Sequence, residues 1–267
     1  MPGVVDTPSF IVIEDRGRVR WLTIDRPERK NAVPAGGWAV LGEQFRAFEA
    51  SQARVLVITG ADGEFCAGAD LNLADLDTEM TSAAANVDRM RITGSAALAL
   101  HRISKPTIAA VDGVAVGAGM NLAVGCDLVV ATERARFSEI FVKRGLSLDF
   151  GGTWLLPRLV GLAKARELAL TGRVVDATEA LGIGLVTRVV PVADLVATVT
   201  ELAEELASGA PVAQRFTKVG LDRSWTMSFE QALHYEDQAQ AVLLASQDFR
   251  EGVDAFLNKR PPEFEGN

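Results

Sequence analysis

The chain has 267 residues and a mass of 28.5 kDa, with 48% hydrophobic and 23% charged residues, which predicts a sizeable core and excludes a disordered chain. Its 27 basic and 35 acidic side chains give a formal charge of −8 and pI ≈ 5.0, which excludes a general nucleic-acid binder because neutralising phosphate needs basic surface. The start, MPGVVDTPSF, has neither a basic n-region nor an apolar h-region, and no apolar run reaches the length of a membrane span. Cys66 and Cys126 offer no disulfide framework, so a reducing, cytoplasmic setting is expected. With His101 and His234 far apart and no HExxH or CxxC pattern, no metal site is expected.

Residues 9–25 read SFIVIEDRGRVRWLTID, two β-rich runs around Asp15, Arg16 and Gly17, which predicts a hairpin. Val40, Leu41, Phe45 and Phe48 recur at near-helical spacing and predict a helix over 38–50. The run from Val55 to Thr59 predicts a strand buried on both faces, leading into a glycine-containing segment over 64–70. Residues 72–86 are polar and rich in Ala, Ser and Thr, and are expected to form a mobile loop. A helix is predicted over 88–101, stopped by Lys105 and Pro106. Strands follow at 107–111 and 127–131, separated by glycines 113, 117 and 119, and two short helices are expected around Gly161 within 154–171. From Val192 the periodicity is helical only, over 192–208, 211–221, 229–246 and 248–257, before the tail KRPPEFEGN. This order predicts an α/β core over residues 1–191 and a helical region over 192–267.

Two stretches are placed to carry chemistry. In each, a buried strand runs into small residues that can aim backbone N–H groups at one point: Glu64 to Asp70, and Val111 to Leu122. A dinucleotide fingerprint is not met, since Leu122 stands where its third glycine would be. Neither a GxSxG elbow nor a phosphate-binding P-loop occurs.

Seven stretches in order, LTIDRPERKNAV, FCAGADL, KPTIAAVDGVAVGAGMNLAVGCDLVVA, ARFSE, GGTWLLPRLVG, LALTGRVVDATEALGIGLVTRVV and EGVDAFLNKRPPEF, resemble the crotonase (enoyl-CoA hydratase/isomerase) superfamily over nearly the whole chain. The resemblance implies a spiral of ββα units with C-terminal helices that build a homotrimer or a dimer of trimers. It implies an acyl-CoA thioester as substrate, with coenzyme A part of that substrate and no tightly bound cofactor. Two N–H groups would form an oxyanion hole, those of Ala69 and Ala118. Glycine is common in the family at the latter position, but either residue offers an N–H. Contacts to coenzyme A carry over to Arg26, Lys30, Ala32, Ala67, Asp70 and Leu71, and Phe256 and Lys259 match a C-terminal pair that reaches a neighbouring subunit's ligand. For the two lysines a solvated surface role is the other reading, and for Asp70 a structural one.

The chain departs from the hydratase pattern at the two acid/base positions. Hydration needs one group to activate water and another to deliver a proton. Asn121 and Phe141 stand where hydratases carry glutamates, and neither exchanges a proton at neutral pH. Asp149, in LDFGG, matches the acid/base aspartate of members resembling 1,2-epoxyphenylacetyl-CoA isomerase, and the nucleophile position of 4-chlorobenzoyl-CoA dehalogenase. One such base suffices to move a double bond, which favours an isomerase, with Asn121 and Phe141 shaping the acyl pocket. A helix N-cap is the alternative role for Asp149. Glu139 is a second candidate acid if strand alternation puts it on the face of Phe141, and a salt-bridged structural residue otherwise. A hydratase using Asp149 with Glu139, and a non-catalytic acyl-CoA-binding trimer, remain the alternative readings.

Overall fold

The computed structural model describes residues 10–71 and 82–267. Nine strands occur among them: β1 (Ile11–Arg16), β2 (Val19–Ile24), β3 (Val55–Gly60), β4 (Thr107–Val111), β5 (Val114–Val116), β6 (Leu128–Thr132), β7 (Arg136–Ser138), β8 (Val175–Asp176) and β9 (Arg188–Val190). The main sheet has the order β1-β2-β3-β4-β6-β9, antiparallel only at its first pair, and β5, β7 and β8 form a smaller sheet. In the hairpin Arg16 faces Val19, so the turn is Gly17 and Arg18 and not the predicted Asp15 to Gly17; Gly17 supplies the positive φ that a two-residue turn demands.

The central parallel strands β3 and β4 are buried runs, Val55 to Ile58 and Thr107 to Val111, because both faces are covered. Leu22, Leu56, Ile58 and Ala109 pack with residues of α1 (Gly37–Glu49), such as Leu41, Phe45 and Phe48, and with Leu100 of α2 (Ala83–His101). The alternate residues Trp21, Val55, Val57, Ile108 and Val130 meet Val199, Leu202 and Ala203. Those three belong to α7 (Leu195–Ser208), which closes the second face of the sheet. Along the chain between α2 and α7 come α3 (Ala118–Val124), α4 (Gly152–Val160), α5 (Leu162–Thr171) and α6 (Ala177–Gly182). The last three helices are α8 (Pro211–Ser224), α9 (Phe229–Leu244) and α10 (Gln247–Leu257).

Three further expectations change. The helix predicted from 88 begins at Ala83, where the Ser82 hydroxyl accepts the Ala85 N–H and three alanines favour helix; residues 72–81 of the expected loop lie outside the described residues. Strand β5 lies within the glycine segment, too short to carry a period of its own. The terminal tail is fastened: Gln247 N–H donates to the Asn267 carbonyl at 2.9 Å, and Arg54 donates to the Phe264 carbonyl at 2.7 Å. Among the described residues no helix is long and apolar enough to cross a membrane.

Candidate active site

The turn after β2 is clipped to the segment after β3 by Asn31, which is fully buried in a left-handed conformation (φ +57). Its Oδ1 accepts the Arg26 N–H at 2.8 Å, and its Nδ2 donates to the carbonyls of Ala61 (2.8 Å) and Glu64. Arg26 donates to the Ala32 carbonyl at 2.8 Å and pairs with Asp70 at 3.0 Å. Ala67 N–H donates to the Lys30 carbonyl at 3.0 Å, and the Lys30 ammonium lies 3.1 Å from Glu64. Arg26, Lys30, Ala32, Ala67 and Asp70 thus share one corner, and both cations there already have carboxylate partners. Leu71, half exposed, follows at the edge of the described chain.

The same corner aims Ala69. Val33 N–H donates to the Gly68 carbonyl at 2.8 Å, and Asp70 N–H to the Val33 carbonyl at 2.9 Å. These bonds use the groups on either side, so the N–H of Ala69 itself points away from Val33. The second turn docks alongside: Cys66 N–H donates to the Val114 carbonyl (2.9 Å) and Val116 N–H to the Cys66 carbonyl (3.0 Å). Gly117 adopts φ +57, ψ −128, a conformation open to glycine, and opens α3 with Ala118. A first-turn N–H has no acceptor within its helix, and among the described residues no backbone carbonyl outside it accepts from Ala118. A Cβ on Gly68 would lie 3.5 Å from Ala118 N, so the two turns meet.

Asn121, one turn into α3, is fully buried and donates through Nδ2 to the Asp149 carbonyl at 3.0 Å, with the Glu139 carboxylate 3.4 Å away. The approach depends on Gly152, where a Cβ would lie 2.5 Å from that Nδ2. Asp149 is not a helix cap: Gly151 takes the capping position of α4, and it is the Asp149 carbonyl that accepts Gly152 N–H at 2.9 Å. The next residue, Phe150, is held at φ +47 with its ring 4.9 Å from Trp38 of α1, a costly conformation for an aromatic residue.

Glu139 follows β7 at the start of a 3-10 turn (Ile140–Arg144), so strand alternation with Phe141 does not apply. No ion pair holds it among the described residues, which removes the salt-bridge reading; it joins Asn121 and Asp149 instead. Phe141 is buried, its ring 3.6 Å from where a Cβ on Gly117 would stand. Asn121 Oδ1, Glu139 Oε1 and Asp149 Oδ1 are all buried, with no hydrogen-bond partner among the described residues. Burial pushes Asp149 up to about 6. Burial likewise pushes Glu139 up to about 8, with the Asn121 hydrogen bond opposing and the Asp149 charge adding to the rise.

Phe256 is 81% exposed on α10, and Lys259 is exposed just beyond it; no described contact brings either to this cluster within one protomer. A cavity of about 830 Å³, lined by Leu100, Trp154, Arg158, Lys218 and Trp225 among others, lies by the C-terminus of α3 and along α4 and does not include Asp149 or Glu139. Among the described residues no group of three or more His, Cys, Asp or Glu could hold a metal ion. Sequence reasoning passed over Asn31 and Trp38. The only local signal for Asn31 is its place in the RPERKN stretch; Trp38 carries none beyond helical spacing.

The family model described as enoyl-CoA hydratase/isomerase matches residues 14–267. The 1,2-epoxyphenylacetyl-CoA isomerase of Escherichia coli (strain K12) is 38% identical over 97% of this chain and 99% of its own. A short-chain-enoyl-CoA hydratase of Clostridium acetobutylicum is 34% identical over 95% and 96%. The crystal structure of an enoyl-CoA hydratase/isomerase from Cupriavidus metallidurans CH34 superposes with a TM-score of 0.89 at 34% identity, covering 97% of each chain. The fold is therefore the crotonase fold, and the chain belongs to the enoyl-CoA hydratase/isomerase family.

Proposed function

We propose that this protein isomerises an enoyl-CoA thioester by moving its double bond, with Asp149 as the single acid/base. The observation that carries the reading is the Asp149 carboxyl, buried with an unpartnered oxygen and raised to about 6, so that it is an anion with appreciable basicity at neutral pH. The N–H groups of Ala69 and Ala118 donate to the thioester oxygen, which stabilises the enolate by a few kcal/mol for each donor. Asp149 breaks a C–H bond and takes the proton; the electron pair delocalises onto the oxygen. The proton then returns from Asp149 to the other carbon, leaving the shifted double bond and the starting carboxylate. Asn121 and Phe141 bound the acyl group.

Arg26, Lys30, Ala32, Ala67, Asp70 and Leu71 border the coenzyme A portion, which enters as substrate and not as a resident cofactor. Phe256 and Lys259 complete the site of a neighbouring subunit in a homotrimer or a dimer of trimers. The exposed Trp225 just after α8, and Phe229, Phe256 and Leu257 on the last two helices, support such an assembly. A cytoplasmic location fits the two free cysteines.

A hydratase is the second reading, favoured by the presence of Glu139 in the same cluster as Asp149. Mass spectrometry of products formed in D₂O from 2-enoyl-CoA and 3-enoyl-CoA separates the two. The isomerase interconverts the esters without added water, deuterium entering only as far as the proton on Asp149 exchanges with solvent before it returns, and Asp149→Asn lowers turnover by about 10³-fold while affinity for the ester persists. A product heavier by one water means hydration. Binding of both esters without turnover by the wild type means a non-catalytic binder, and a mass adduct on Asp149 means covalent chemistry.

A further inference from the structure

Glu139 has no role in a one-base isomerisation, yet it is 1% exposed beside the base. What faces it is sparse in charge. From α3 comes the Asn121 amide, from the segment before α4 comes Asp149, and Ser138 of β7 turns its hydroxyl to the Gly172 carbonyl at 3.0 Å. Asp149 is the one charged group acting on it, and among the described residues neither carboxyl has a cationic partner. With both carboxyls ionised the cluster would hold two adjacent anions and three orphaned acceptors around one amide NH₂ group. A single proton removes one charge and supplies a donor. Glu139, more deeply buried than Asp149, is the group on which that proton costs least.

We propose that Glu139 is a positioning residue that works as a neutral carboxylic acid: it keeps its proton through turnover, leaves Asp149 the only anion of the pair, and anchors the Asn121 amide that holds the Asp149 turn. This rests on the reading of Asp149 as the base. Binding an acyl group over the cluster removes water, and a second charge without counter-ion or water opposes that binding. Ionising Glu139 therefore weakens substrate capture, and does so in the range set by its rise to about 8.

The test is the pH dependence of kcat/KM and, separately, of affinity for a saturated acyl-CoA that cannot react, each on the whole wild-type protein and on Glu139→Gln. Expected for the wild type are a rising limb of kcat/KM near pH 6 and a falling limb near pH 8, the latter shared by the affinity of the saturated ester. Expected for Glu139→Gln is kcat/KM within about threefold of wild type at pH 7, with the falling limb gone from both profiles. Wild-type affinity that stays flat through pH 8 overturns the proposal, and this measurement does not depend on the variant folding. So does a falling limb that survives in Glu139→Gln, or loss of turnover in that variant to the level of Asp149→Asn, which would make Glu139 a proton donor itself. Full activity of Asp149→Asn would instead remove the base reading while leaving the affinity profile to judge Glu139.

Discussion

At Asp149 the protein gives up stability to keep a carboxyl buried. The carboxyl of the folded chain sits at about 6 and that of Glu139 at about 8, both above the ordinary carboxylate range near 4. A carboxyl raised in the folded state contributes stability below its unfolded value, and the contribution is lost as pH rises through the folded value. Stability therefore declines from about pH 4, where both unfolded carboxyls ionise, up to about 6 for the Asp149 contribution and about 8 for that of Glu139. Asp149→Asn is expected to melt higher than wild type at pH 8, by about 1–2 kcal/mol, with the difference closing toward pH 4. Paired thermal melts at the two pH values check this, and equal melting at pH 8 would show that the carboxyl is not desolvated. The strained Phe150 beside it, steadied by Trp38, belongs to the same exchange of stability for geometry.

At the level of elements, the turn that carries Ala69 is held from outside by the turn after β2. Asn31 satisfies one N–H and two carbonyls in a buried corner, and the Arg26–Asp70 pair lies one residue from Ala69. Asn31→Ala takes its side-chain partner from the Arg26 N–H and the Glu64 carbonyl, leaves the Ala61 carbonyl only the Glu64 N–H at 3.3 Å, and is expected to cost about 2–4 kcal/mol, with turnover falling more than ester affinity as the Ala69 N–H loses its aim. Denaturant unfolding together with kcat and KM reads both effects; a loss of affinity alone would count against the positioning role. Regular elements were legible wherever burial imposed a period: β3 alternates its residues between two packed faces, and α1 keeps Leu41, Phe45 and Phe48 inward. The three-residue β5 and the 3-10 turn after Glu139 were not legible, because so few residues carry no periodicity and their shape follows from partners such as β7.

For the whole molecule, the C-terminal region is part of how the core closes. Helix α7 covers the second face of the sheet, and the tail returns to the body of the protein. Asp248, at the start of α10, accepts the N–H groups of Glu265 (2.8 Å) and Gly266 (3.0 Å), while Arg54 reaches Phe264 from the turn before β3. Deleting residues 262–267 leaves a buried carboxylate and an arginine without these partners, and is expected to lower stability by about 1–3 kcal/mol. A melting curve of the shortened chain checks this, and an unchanged melting temperature would make the tail a passenger.

By itself the sequence determined the family, the two-faced sheet and the segments that meet around the site, since its motifs stand in order and apolar side chains follow local rules of period and burial. The pairings that define the chemistry came only with the folded chain. Asn121 meets Asp149 and Glu139 across 28 and 18 residues, and Arg26 meets Asp70 rather than standing free. A local pattern records which side of an element faces inward, but not which polar groups from separate segments are sealed together. Nor can it give the raised carboxyls of Asp149 and Glu139, because desolvation and like-charge proximity exist only after the chain has closed around them.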